Sequence, residues 1–180
     1  MDLTERTLSS REVFHGRIVR VRVDEVRLPN GNTSSREVID HPGGVCILAL
    51  DEQNRAAIVR QYRYAFGRVM TELPAGKLES GEEPFVTARR ELAEEVGATA
   101  AEWIDLGELI PSPGCYAETL HMYLARGLTF RAPQPDEDEF LEAEFVPLEE
   151  LAERCLSGEL RDAKTALAVL KAKRYLDERG

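Results

Sequence analysis

The chain is short of the residues that usually announce chemistry by themselves. Its 180 residues include three cysteines and three histidines, and neither set has metal-site spacing. Cys46, Cys115 and Cys155 are odd in number and scattered, which excludes a fully paired disulfide framework and points to buried or free thiols in a reducing compartment. His15, His41 and His121 stand apart and read as structural or surface residues. No apolar run approaches a membrane span, and the opening MDLTERTLSS lacks the basic and apolar regions of a signal peptide, so a cytoplasmic location is expected. Positive charge is scarce too. A net charge of −10 argues against a nucleic-acid surface held by basic residues and against an anionic membrane. An anionic substrate would then need a metal and a few local arginines. What remains is plentiful aliphatic sequence without a long structureless stretch, enough for one domain with a sizeable core, with or without a short appendage.

Patterning supplies a strand-rich frame. Alternation from Val13 to Leu28, turn chemistry at Pro29-Asn30-Gly31-Asn32 and a returning strand at about Ser35 to Asp40 predict a hairpin. Its two charged, exposed faces suggest a partner or second subunit over one of them. After His41-Pro42-Gly43-Gly44, the apolar run Val45 to Leu50 reads as a strand buried on both faces. Ala56 to Tyr64 follows, and Arg63 near its end is a candidate for a phosphate or ribose, with a surface ion pair as the alternative. Met70 to Leu73, Trp103 to Leu109, Leu120 to Ala125 and Leu141 to Val146 read as further strands. Pro147 opens a helix to about Cys155, and Asp162 caps a last helix from Ala163 to Asp177 that packs Ala166, Leu167, Leu170 and Leu176 inward. The rigid turn Pro111-Ser112-Pro113-Gly114 can hold Ser112 and Glu118 toward a pocket, or is a plain surface turn. The acidic stretch Pro133 to Glu139 is either solvated or a source of a general base.

The densest signal is Gly76 to Ala98, GKLESGEEPFVTARRELAEEVGA. Gly76 is followed after five residues by Glu82 and after seven more by Arg90-Glu91-Leu92, then Glu94-Glu95, Gly97 and Ala98. Pro84 suits a first helical turn, Glu82 and Glu83 the positive end of a helix, and Gly97 its end, so a helix from about Glu82 to Val96 is expected. Phe85, Ala88, Leu92 and Val96 make a buried stripe, while Glu91, Glu94 and Glu95 share another face. Such carboxylates repel unless a cation lies among them. They are either a solvated face served by Arg89 and Arg90 or ligands of a hard divalent cation, and the ordered spacing favours the second. A cation held by carboxylates implies a phosphate ester or anhydride as substrate.

This spacing, G-x5-E-x7-R-E-U-x-E-E-x-G-U with U apolar, resembles the Nudix box, departing from it only in the small Ala98. Most of the chain, about Phe14 to Leu176, further resembles the bacterial ADP-ribose pyrophosphatases of that family, in the hairpin leading to HPGGVCILAL, in RQYRYAFG, ELPAG, SPGCYAE and PDEDE, and in RDAKT near the end. Pro113, sixteen residues past Gly97, is the feature associated with ADP-ribose preference.

The resemblance implies an α/β fold: a Nudix α/β/α sandwich with a mixed central sheet at 41–180 and an N-terminal β region at 1–40 exchanged across a homodimer. It puts Mg2+, or Mn2+ or another divalent cation, on the Ala75 carbonyl and on Glu91 and Glu95, with Glu94 assisting and Arg90 bracing the glutamates. Arg63, Ser112 and Glu118 would contact the diphosphate or terminal ribose, with Glu79 and Glu82 nearby. Arg17, Ile18 and Glu37 match positions around the adenosine half. Arg36 stands where relatives offer an aromatic ring, and could stack by its planar guanidinium instead. Water would attack a phosphorus of ADP-ribose, releasing AMP and ribose 5-phosphate. Glu139 is the first candidate for general base; Glu137, or metal-polarised water oriented by Glu91, Glu94 or Glu95, are the rivals. Other nucleoside diphosphate derivatives stay open as substrates, because the box recognises a diphosphate and its metals, not the group attached. A module that binds ADP-ribose without cleaving it is the reading of another class, opposed by the intact box and the lack of room for a winged helix.

Overall fold

Three antiparallel strands begin the chain: β1 (Arg6–His15), β2 (Arg20–Arg27) and β3 (Thr33–Asp40), with the short strand β9 (Tyr116–Ala117) added in parallel to β3. The structure, a computed structural model, describes residues 1–132 and 140–179. It resolves into two units, Met1–Gly43 with Ile110–Thr119, and Gly44–Leu109 with Leu120–Gly180.

In the first unit the expected continuous strand from Val13 to Leu28 is in fact two. Gly16 N–H donates to the Val19 carbonyl at 2.9 Å, closing a tight turn that sets His15 opposite Arg20. The strand before that turn carries few apolar residues and is exposed along its whole length, so it has no burial periodicity to betray it. Two register shifts, at Thr7/Ser9 and Glu12/Phe14, blur its alternation further. Within the same sheet Asp24 is buried, and Arg22 donates to it and, at 3.0 Å, to Asp40.

The second unit is built around β4 (Gly44–Ala49), every residue of which is buried. It pairs antiparallel with β7 (Ala75–Lys77) and parallel with β10 (Leu120–Phe130), which pairs antiparallel with β8 (Ala98–Leu109). A second sheet joins β5 (Arg55–Arg63) antiparallel to β6 (Arg68–Glu72) and to β11 (Leu141–Pro147). Because successive residues of a strand face opposite ways, β4 feeds two cores. Cys46, Leu48 and Leu50 join Met122 and Leu124 in a cluster with α2 (Leu148–Leu156) and α3 (Ala163–Asp177). Val45, Ile47 and Ala49 join Ala125 and the apolar side of α1 (Pro84–Val96) in the other. A mixed sheet with helices on both faces follows, the α/β/α arrangement expected.

Several bounds and faces shift. The helix α1 starts two residues later than expected, with Glu83 at its cap and Pro84 first, and ends on Gly97 in the left-handed region at φ 67°. Phe85 leaves the buried stripe: it is 41% exposed and lies edge-on to Trp103. Its place on the buried face is taken by Thr87, Glu91 and Glu95. In α3 the residues turned inward are Thr165, Ala168, Val169 and Ala172, with Leu167, Leu170 and Leu176 flanking them and partly buried. Small residues let that helix sit close to the sheet, which an expectation built on leucines overlooks. The expected loop at Gly76 begins as strand β7, and β8 and β10 extend beyond their predicted ends. Among the described residues no helix is long and apolar enough to cross a membrane.

Candidate active site

Strand β6 runs through Leu73 and Pro74 into β7, and the chain then loops into α1. Glu91 and Glu95, one helical turn apart, both press on the dipeptide where that passage begins. Ala75 N–H donates to Glu95 Oε2 at 3.0 Å. A Cβ on Gly76 would lie 1.9 Å from the Glu91 carboxyl carbon, so only glycine lets this carboxylate approach the backbone. Glu91 and Glu95 are 7% and 2% exposed. Burying carboxylates is costly unless they are hydrogen-bonded or paired with positive charge.

Part of that charge is Arg90. Its Nη1 donates to Glu91 Oε1 at 2.8 Å and to Glu94 Oε2 at 2.9 Å. Its Nε and Nη2 donate to the two oxygens of Glu82 at 3.2 and 3.1 Å, and Nη2 also reaches the Lys77 carbonyl at 3.4 Å. The hydrogen bonds from Arg90 hold the Glu82 carboxyl down at about 2, and in return Glu82, then Glu91 and Glu94, push the Arg90 guanidinium further up. Glu82 Oε2 also accepts from Glu79 N–H at 3.2 Å, which ties the loop to the helix. The planar fork of arginine suits this multiple bracing. Glu94 keeps 30% of its side chain in solvent.

A second charged cluster lies on the same passage. Arg63 forks onto Glu72, Nε to Oε1 and Nη2 to Oε2, both at 2.7 Å. Lys164 Nζ donates to Glu72 Oε2 and, at 2.9 Å, to Asp162 Oδ2. Burial alone would raise the Glu72 pKa; the Arg63 hydrogen bonds and the Lys164 charge overcome it and hold the carboxyl at about 2. Burial would likewise lower the Lys164 pKa, but Asp162 and Glu72 reverse this and push it up. Asp162 also caps α3, accepting from Thr165 N–H at 3.1 Å and from Thr165 Oγ1 at 2.6 Å.

Thus Ala75, Glu79, Glu82, Arg90, Glu91, Glu94 and Glu95 come together in one unit, and Arg63 stands beside them in sequence order but engaged by Glu72. Arg17, Ile18, Glu37, Ser112 and Glu118 belong to the other unit. Arg17 and Ile18 are exposed in the turn between β1 and β2, and Glu37 is exposed on β3. Arg36 forks onto Glu5 and donates to the Ser35 carbonyl at 2.9 Å. Ser112 is exposed, and the Glu118 carboxylate lies 3.3 Å from His41 Nδ1. Glu137 and Glu139 lie outside the described residues. Sequence reasoning gave no role to Glu72, Lys164 and Thr165, and to Asp162 only that of capping α3. The signal available was the pair of runs ELPAG and RDAKT, whose charged members have no reason to be buried apart from each other.

The acidic side chains gathered here offer only oxygen donors: the buried Glu91 and Glu95 and the partly exposed Glu94. Hard divalent cations take such ligands, whereas a zinc or copper site would call for the histidines and cysteines that are not here. In ligand type the residues fit a hard divalent cation.

Known proteins and family models match most of the chain. The family model of the NUDIX domain matches residues 40–167, and that of the nucleoside diphosphate sugar hydrolase N-terminal domain matches residues 5–39. The chain is 41% identical over 167 residues to the methanol dehydrogenase activator of Bacillus methanolicus, covering 92% of this chain and 90% of that protein. It is also 41% identical over 169 residues to the ADP-ribose pyrophosphatase of Bacillus subtilis (strain 168), covering 93% and 91%. A crystal structure of an ADP compounds hydrolase matches 100% of this chain and 98% of its own with a TM-score of 0.87; at 21% identity that likeness is one of fold. With its box filled, its glutamates gathered on one dipeptide and the domain matched across most of its length, the chain belongs to the Nudix family of hydrolases.

Proposed function

We propose that the protein is an Mg2+-dependent ADP-ribose diphosphatase of the cytoplasm, cleaving ADP-ribose to AMP and ribose 5-phosphate. The observation that carries the reading is the pair of buried carboxylates, Glu91 and Glu95, held against Ala75 and Gly76 and braced by Arg90. The choice of ADP-ribose draws on the relative named ADP-ribose pyrophosphatase and on Pro113. The three free cysteines suit a reducing compartment.

In this reading Glu91, Glu95 and the Ala75 carbonyl hold the cation, and Glu94 assists. When bound, the cation neutralises the diphosphate oxygens and polarises the attacking water. Arg90 braces Glu91 and Glu94 in place. Arg63 meets a phosphate or ribose oxygen with Nη1, the nitrogen that Glu72 does not engage. Ser112 and Glu118 contact the diphosphate or terminal ribose, with Glu79 and Glu82 nearby, while Arg17, Ile18 and Glu37 serve the adenosine half. Glu139 takes the proton of the attacking water. The active form is a homodimer that exchanges the N-terminal strands, a reading supported by the exposure of β1 along its length.

Product analysis tests this directly. Purified protein incubated with ADP-ribose, ADP-glucose, NADH or a diadenosine polyphosphate, with Mg2+ or with chelator, is expected to give fast, Mg2+-dependent AMP and ribose 5-phosphate from ADP-ribose. Equal or faster cleavage of another compound overturns the substrate, and no cleavage of any overturns the enzyme.

A further inference from the structure

Apart from Arg63, the buried cluster at the start of α3 has no place in the chemistry just described, although it joins three sequence motifs. Arg63 comes from RQYR, Glu72 and Leu73 from ELPAG, and Asp162, Lys164 and Thr165 from RDAKT. Glu72 is 1% exposed and Thr165 is fully buried. An apolar cluster of similar volume would stabilise the fold as well or better, because buried ion pairs recover little more than their desolvation. Their specific gain is geometry.

That geometry falls on the four residues leading to the metal-facing backbone. Glu72 is gripped by Lys164, and Leu73 N–H donates to Thr165 Oγ1 at 2.9 Å. Pro74 has no N–H and a fixed φ, and its carbonyl accepts from Ile47 N–H at 2.8 Å. Ala75 N–H is taken by Glu95. Each residue from Glu72 to Ala75 therefore has at least one named anchor, and two of these anchors, Lys164 and Thr165, are side chains of the first turn of α3. We propose that Lys164 and Thr165 are positioning residues of the hydrolytic site: they fix the Glu72–Ala75 segment so that the Ala75 carbonyl meets the cation held by Glu91 and Glu95. This rests on the reading of Ala75 as a metal ligand. Lys164 acts through Glu72 and Thr165 through the Leu73 amide, and neither touches substrate.

The test uses the full chain and three variants: Thr165→Val, which keeps shape and removes the hydroxyl; Lys164→Met, which removes the charge; and Lys164→Arg, which keeps it. Amide hydrogen exchange is followed by NMR in metal-free protein, and Mn2+ affinity is titrated by EPR. In Thr165→Val and Lys164→Met the Ala75 amide is expected to exchange about tenfold faster or more and Mn2+ to bind about tenfold more weakly or worse, the usual scale for outer partners of a metal site. Amides of β10 should be unchanged, and Lys164→Arg should restore most of both losses. Unaltered Ala75 exchange and Mn2+ affinity, whatever happens to the melting temperature, leaves these residues merely structural and overturns the proposal. Faster exchange with unaltered Mn2+ affinity overturns it too, since the segment then moves without consequence for the cation. Wild-type protein that binds no Mn2+ would instead bring down the metal-site reading beneath it.

Discussion

Glycine at position 76 is a steric demand of a carboxylate. The space a Cβ would fill is occupied by the Glu91 carboxyl group, at 1.9 Å from both its carbon and Oε1, so an added methyl must push that side chain off the backbone. Gly76→Ala is therefore expected to behave like Glu91→Gln, lowering kcat on ADP-ribose by a hundredfold or more, on the order of what removing one preorganised transition-state contact costs. Steady-state kinetics with a melting curve on each variant checks it. Near-normal turnover in Gly76→Ala would mean that Glu91 can leave its position without loss. The importance of positions 76 and 91 was legible in the box spacing; the reason, one group standing where another would need to be, was not. Arg63 is the opposite case. An arginine near the end of a strand reads as free for a phosphate, and nothing local shows that Glu72, nine residues away, takes two of its nitrogens.

The anchoring of α3 to β6 makes stability depend on acid. The Glu72 carboxyl is held at about 2 in the folded protein against an ordinary 4.5. Between those values the unfolded chain binds the proton more readily, so this group's contribution is complete above about pH 4.5 and is lost as pH falls toward 2. It is on the order of 3 kcal/mol, at about 1.4 kcal/mol per tenfold change in proton affinity. Urea unfolding of wild type and Glu72→Gln should give a stability gap that is wide at pH 6 and narrows steadily below about pH 4.5; a gap independent of pH would mean that the carboxylate is not held ionised by its partners. At this scale the sequence revealed the helix itself through Asp162 and its apolar period, but not its rotation. Ala168, Val169 and Ala172 face the sheet because close approach outweighs side-chain size, a choice that depends on the neighbouring layer. Strand β1 escaped notice for a related reason, since a strand with no buried residue leaves no apolar period in its sequence.

For the molecule as a whole, the layered sheet was legible because β4 announces burial on both faces, whereas the grouping of 110–119 with the N-terminal strands depends on pairings remote in sequence. Strand β1 exposes Leu8, Val13 and Phe14 at 46%, 45% and 55%, a pattern better suited to a second chain than to water. Light scattering after size exclusion should therefore give twice the 20.2 kDa chain mass. A fully active monomer would remove any adenosine contact supplied across subunits. The two-faced burial of β4 also sets a problem of timing during synthesis. Its parallel partner β10 lies roughly seventy-five residues further on, an interval of about 4–15 seconds at roughly 5–20 residues per second. Until then β7 is the one strand pairing with β4 among the described residues to have left the ribosome, since β8, though made earlier than β10, pairs with β10, and Val45-Cys46-Ile47-Leu48 waits with one edge open. The strand that makes the finished sheet so well buried is thus the segment of the nascent chain with most need of a chaperone.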